Sequence, residues 1–193
     1  MIPPTGSIPR LLDRLKKWDH YGVVVVEDGT TLWNLPREAP LRGGLHMVCR
    51  GYSDAEFRRC VEEFEGIDNY AFAELLHDTC SCKLFCGMLD IYCPRVSTFP
   101  KIDMNVPDMN DVNASFPGYY DTFGGIIFGG SRNDRASYFF VERKLGEVLC
   151  VDRKSNAVQK EWPDFSRFWF AAINELNEGW VDSSEYCPSW QRA

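Results

Sequence analysis

The chain has 193 residues, of which 45% are apolar, 14% aromatic and 25% charged, enough for one globular core with a charged exterior. A formal net charge of −7 argues against a phosphate-binding face, so nucleic acid is not expected as a partner, although the same charge also serves simple solubility. No run approaches the roughly 18 apolar residues of a membrane helix, and residues 1–10 carry no cationic-then-apolar leader; a cytoplasmic protein without membrane contact is expected.

In chain order, residues 8–18 place Leu11, Leu12 and Leu15 on one side of a helix, with Ser7 as cap and Pro9 in the first turn. Residues 21–26 are rich in valine and are followed by Glu27, Asp28 and Gly29 and then by 30–35, which predicts a hairpin closed at Asp28-Gly29. Two prolines and two glycines over 36–44 predict a loose boundary. Ser53 and Glu56 form a capping box, and Phe57, Cys60, Val61 and Phe64 then share one helical face up to Gly66. A second helix is expected after Asp68, with Tyr70, Ala73 and Leu76 inward.

Residues 84–92 read as one strand, in which Gly87 marks a bulge or a close approach of backbone. The proline- and asparagine-rich stretch 95–118 reads as a long connection. Residues 119–128, 137–141 and 147–151 predict an antiparallel meander. Pro163 opens a last helix, in which Phe165, Phe168, Trp169, Ala172, Ile173 and Leu176 keep helical spacing before Gly179. Two helices, several strands and a closing helix define an α+β class: an antiparallel sheet of about five to six strands with helices packed against it.

Eight cysteines occur, at positions 49, 60, 80, 82, 86, 93, 150 and 187, and in a chain of this size they are expected to be mostly reduced and partly buried. The run Cys80, Cys82, Cys86 and Cys93, with His77 before it, lacks the paired knuckles of a zinc cage and is read as structural thiols. No metal or cofactor is expected. The three histidines, His20, His46 and His77, sit in no hydrolase motif, and no glycine pair continues into the Gly-Lys-Ser/Thr ending of a phosphate loop. A catalytic thiol, for example Cys80 or Cys86 with His46 or His77, is the alternative from the enzyme class, because such partners need only meet in space.

Two blocks carry a family resemblance. The first is Tyr52-Ser-Asp-Ala-Glu-Phe57 with Phe64-Glu65, then Tyr70 to Leu76 and Leu84 to Tyr92; the second is Ile126-Ile-Phe-Gly129, Tyr138 to Glu142, Gly146-Glu-Val148 and the helix from Asp164-Phe165. Together, over 52–178, they resemble the SUKH superfamily, which includes yeast regulators of glucan synthesis, bacterial immunity proteins and some viral proteins. That resemblance implies a SUKH-like domain over 51–180, preceded by a helix–hairpin extension over 1–50 and followed by a tail over 181–193. It also implies a non-enzymatic protein-binding module, in the first instance an immunity protein that neutralises a nuclease- or deaminase-type toxin; the alternative of the same fold is a regulatory or viral host-interaction scaffold. An acidic chain suits a basic toxin domain as partner. The candidate contact groups are Asp103, Asp108 and Asp111 in the long connection and Trp162 beside the last helix, each of which also reads as a solvated carboxylate or a packed core tryptophan.

Overall fold

The structure is a computed structural model that describes residues 11–34, 45–64, 66–94, 106–132, 137–144 and 146–179. Helix α1 (Leu11–Leu15) runs into a 3-10 segment, Lys16–Tyr21, and then come strands β1 (Val23–Val25), β2 (Thr31–Trp33) and β3 (His46–Val48). Helix α2 (Asp54–Glu63) is followed by 3-10 segments Ile67–Asn69 and Ala71–His77, and by β4 (Cys82–Leu84) and β5 (Leu89–Ile91). The chain continues through α3 (Met109–Ser115), α4 (Gly118–Phe123), β6 (Gly125–Arg132), β7 (Ser137–Arg143), β8 (Val148–Asp152), β9 (Val158–Trp162) and α5 (Phe165–Gly179).

The α+β class with one antiparallel sheet is observed, but the sheet has nine strands among the described residues, not five or six. They lie side by side in chain order. Three differences make up the count. The expected hairpin of the first fifty residues joins the same sheet through β3, where Met47 pairs with Lys83 and Val48 with Cys82. Residues 84–92 are not one strand: Phe85, Cys86 and Gly87 take φ of 50°, 58° and 91°, and the chain reverses so that Leu84 faces Leu89. Strand β9, with its Val-Gln-Lys-Glu-Trp sequence, has too few apolar residues to announce itself and is held by its pairing with β8.

Left-handed backbone at Phe85 and Cys86 costs roughly 1–2 kcal/mol per residue, so something must hold it. The Phe85 N–H donates to His46 Nδ1 at 3.2 Å, and the Cys86 N–H donates to the Leu45 carbonyl at 2.9 Å. The Phe85 ring meets His46 edge-on at 4.5 Å and Trp18 at 6.0 Å. Tertiary contact with β3 and the N-terminal segment thus overrides the local preference.

Two further expectations are corrected. Residues 119–123 belong to α4, which starts after Pro117 and closes on Gly124 in the left-handed conformation (φ 69°); the strand begins only at Gly125. The helix expected after Asp68 is replaced by the two 3-10 segments, and the second of these is capped not by Asp68 but by Glu142 of β7, which accepts from the Ala71 and Phe72 N–H groups at 2.7 and 3.0 Å. By contrast, the Ser53–Glu56 capping box is present in full. Residues Ser7, Pro9, 36–44 and the tail over 181–193 lie outside the described residues.

Helices cover both faces of the sheet at β6 and β7. Successive residues of a strand point to opposite faces, and Phe139 meets Phe116 and Tyr119 at 5.0 and 5.5 Å, whereas Phe140 meets Phe168 at 5.0 Å. The α3–α4 pair therefore lies on one face and α5 on the other, which explains why Tyr138 to Val141 is apolar throughout instead of alternating. Phe128 of β6 is the hub on the α5 side, with rings of Phe72, Phe165 and Phe168 at 5.6, 5.3 and 5.4 Å. The N-terminal segment closes over α5: Arg14 and the Trp18 indole donate to the Asn174 and Asn177 amide oxygens at 2.7 and 2.8 Å.

Phe128→Ala removes the ring that links the second 3-10 segment to α5 and leaves a cavity. A loss of about 3–5 kcal/mol is expected, measured by urea unfolding.

Candidate protein-binding cleft

A cleft of about 710 Å3 opens where the connection after α2 meets the α3–α4 layer. Phe64, Gly66, Asn69 and Tyr70 form one wall; Asn113 and Phe116 from α3, Tyr120 from α4, Ile126 and Lys144 form the other. Each side chain is positioned by the elements beneath it. Asn113 clamps α3 to β6: its Oδ1 accepts from the Ile127 N–H at 2.9 Å and its Nδ2 donates to the Ile127 carbonyl at 2.8 Å. That anchor lies beside the irregular step of the β6–β7 ladder between Ile127 and Gly129. Phe116 ends α3 and packs against Phe139 of the sheet, and the Arg153 guanidinium lies 5.4 Å from its ring centroid.

Tyr120 is 46% exposed although it belongs to an aromatic-rich segment. The Lys144 ammonium lies 5.5 Å from its ring centroid, and a hydrogen bond with Tyr120 favours the charged form of that lysine, raising its pKa. Among these lining residues there are aromatic rings, amides and one cation, but no carboxylate, imidazole or thiol. Such a surface can receive an apolar or aromatic side chain and orient it by hydrogen bonds.

The sequence candidates fall elsewhere. Asp103 lies outside the described residues. Asp108 caps α3 by accepting from the Asn110 N–H at 2.9 Å, and Asp111 stands exposed in the first turn of that helix. Trp162 is buried, with Phe168 at 5.1 Å and Phe140 at 6.4 Å, so its ring is committed to the α5 side of the core. The two described aspartates and Trp162 are not brought together. Sequence reasoning missed Phe116 and Tyr120, for which the signal was available: aromatic residues flanking Pro117-Gly118 at the close of the long connection.

The groups that could do chemistry are drawn into packing. His46 is fully buried, its ring edge-on to Trp18 and Trp33 at 5.9 and 5.8 Å, and burial lowers its pKa to about 3. Because Nδ1 accepts from the Phe85 N–H, the ring proton is assigned to Nε2. The His77 ring lies 4.4 Å from that of Phe57. Cys80 is hydrogen bonded to Cys49 and Cys93, and these bonds together with burial push its thiol far up; burial likewise raises Cys82, and lifts Cys60 and Cys150 to about 12 and Cys86 to about 11. Cys49 moves the other way, because Cys80 donates to it. The seven described cysteines are free thiols, and among the described residues no three His, Cys, Asp or Glu side chains are grouped to hold a metal.

Glu142 is the remaining perturbed group. It is fully buried, and burial lifts its pKa from 4.5 to about 7 in spite of the two backbone donors. Comparison with protein-family models, with curated proteins and with solved structures finds no match to the chain.

Two outcomes follow from these environments. A carboxyl whose pKa is raised on folding binds its proton more tightly in the native state, so stability falls as pH rises from about 4.5 to about 7. The fall is about 3 kcal/mol for this group, and Glu142→Gln removes that step from the pH profile of urea unfolding. In the native chain at neutral pH, iodoacetamide modifies Cys60, Cys80, Cys82 and Cys150 at least about 100-fold more slowly than in the unfolded chain; fast labelling of Cys80, read by mass spectrometry, would revive the catalytic-thiol reading.

Proposed function

We propose that the chain is a protein-binding module without catalytic chemistry of its own, and that it neutralises its partner in the cytoplasm in the manner of a SUKH-type immunity protein. The observation that carries the binding reading is the aromatic cleft, in which Phe64, Tyr70, Phe116 and Tyr120 surround a cavity of about 710 Å3. Aromatic side chains concentrate the energy of protein interfaces, because a large rigid ring desolvates well at small entropic cost. Tyr120 is the anchor best placed to meet a partner: its ring is half exposed and its neighbour Lys144 offers a donor.

The choice of a toxin as partner rests on the resemblance of residues 52–178 to the SUKH superfamily and on the net charge of −7. An acidic chain is drawn to the basic cleft of a nuclease or deaminase domain, and Asp111 adds an exposed carboxylate on the helix that also supplies Phe116. Charge speeds the encounter; the cleft then holds an apolar side chain of the partner. Among the described residues no helix is long and apolar enough to cross a membrane.

Co-expression with a toxin encoded beside its gene tests this reading. Wild type restores growth, whereas Tyr120→Ala, a truncation at an exposed site, weakens the complex by about 30-fold and loses protection while keeping its thermal midpoint. Equal affinity of Tyr120→Ala and wild type in calorimetry would move the interface away from the cleft.

A further inference from the structure

The sheet ends in β1 on one side and β9 on the other, and the two edges differ in chemistry. Strand β9 presents Gln159 and Glu161 to solvent with Lys160 between them, and the charges of Lys160 and Glu161 discourage pairing with another chain. Val23, Val24, Val25 and Val26, at β1 and just beyond it, are 39, 50, 65 and 37% exposed. Among the described residues no strand lies beyond β1, and a row of bare valines on such an edge is what soluble proteins ordinarily avoid unless the edge is to be covered.

Register fixes which backbone groups are available. The Val26 N–H donates to the Thr30 carbonyl, the Asn34 N–H donates to the Gly22 carbonyl, and Val24 stands opposite Leu32. Gly22, Val24 and Val26 therefore turn their polar groups toward β2, and Val23 and Val25 turn theirs outward, because an antiparallel ladder alternates.

We propose that β1 pairs antiparallel with β1 of a second copy of this chain, on a two-fold axis through Val24, so that the two sheets become one. In this register Val23 of each copy faces Val25 of the other, and each facing pair exchanges both of its hydrogen bonds, so the outward groups of both residues are satisfied. The two Val24 residues meet on the axis as a non-hydrogen-bonded pair, about 4.5 Å apart at Cα. A two-fold contact must be complementary to itself, and a run of identical uncharged side chains meets that condition at every position.

The flanking charges select the second copy over an unrelated strand. Before β1, residues 13–20 carry Arg14, Lys16 and Lys17 against Asp13, which holds Lys16 at 2.6 Å, and Asp19, whose carboxylate accepts from the Trp33 indole, so that this flank keeps a net charge of +1. After it come Glu27 and Asp28. Antiparallel two-fold pairing carries the acidic turn of each copy toward the basic end of the other and keeps the two acidic turns apart, which offsets the repulsion between two chains of net charge −7. The inference is independent of the cleft, since β1 contributes nothing to its lining.

Sedimentation equilibrium of the full chain across the micromolar range tests the proposal. Wild type is expected to dimerise. Val24→Lys and Val24→Asp place like charges on the axis, and each is expected to be monomeric with an unchanged circular dichroism spectrum, while an equimolar mixture of the two forms a heterodimer. Val25→Pro, which removes an outward N–H and no bond to β2, is a second route to a folded monomer should a charged variant fail to fold. A monomeric wild type, a dimer that survives Val24→Lys or Val25→Pro, or a mixture of folded Val24→Lys and Val24→Asp that does not associate would overturn the proposal.

Discussion

The packing of Phe128 constrains most of this fold. Its ring is touched by the second 3-10 segment through Phe72 and by α5 through Phe165 and Phe168, so a single side chain of β6 fixes two elements that are almost a hundred residues apart in sequence. The contacts with Phe165 and Phe168 are edge-to-face and that with Phe72 is stacked; aromatic pairs of these kinds add roughly 0.5–1.5 kcal/mol each beyond simple burial and prefer particular angles. The neighbouring strand supplies the polar counterpart: Glu142 of β7 caps the segment that Phe72 belongs to. Apolar docking and backbone capping thus act on the same short stretch, which would otherwise lack the length to hold a helix.

With α5 and the second 3-10 segment committed to one face, the other face at β6 and β7 needs its own cover. Helices α3 and α4 provide it, but they have only seven and six residues, and Asn113 must pin the first of them to β6 by both ends of its amide. So short a cover leaves a gap against the connection after α2. The cleft is that gap. Its walls are aromatic because Phe116 and Tyr120 stand at the margin of the core, half engaged with the packing beneath them and half open.

The sequence was most readable where local chemistry and tertiary demand agree. The Ser53–Glu56 box starts α2 as expected, the valine run with its Asp-Gly turn makes the β1–β2 hairpin, and the spacing from Phe165 to Leu176 forms α5. It was least readable where a distant group overrules the chain. No local signal shows that His46 and Leu45 hold Phe85 and Cys86 in left-handed backbone, so one apparent strand concealed a hairpin. Nor does any local signal show that Glu142 replaces Asp68 as a cap, which shortened the second helix to 3-10 turns. Of the candidate site, charge pointed to Asp108 and Asp111 and aromaticity to Trp162; the aromatic residues around Pro117-Gly118 were also in view, but periodicity cannot distinguish a tryptophan packed on α5 from a tyrosine left at a cleft margin.

The same overruling bears on function. The thiols of Cys60, Cys80, Cys82, Cys86 and Cys150, raised above the ordinary range, and a histidine kept neutral by burial are expensive to ionise, and a nucleophile must ionise or be deprotonated to act. Cys80 gives its proton toward Cys49 instead of to a base, and His46 uses its available lone pair to hold a backbone turn. What the molecule leaves outside is of a different kind: an aromatic cleft and a valine-lined strand edge, both of which lose unfavourable contact with water when another chain covers them.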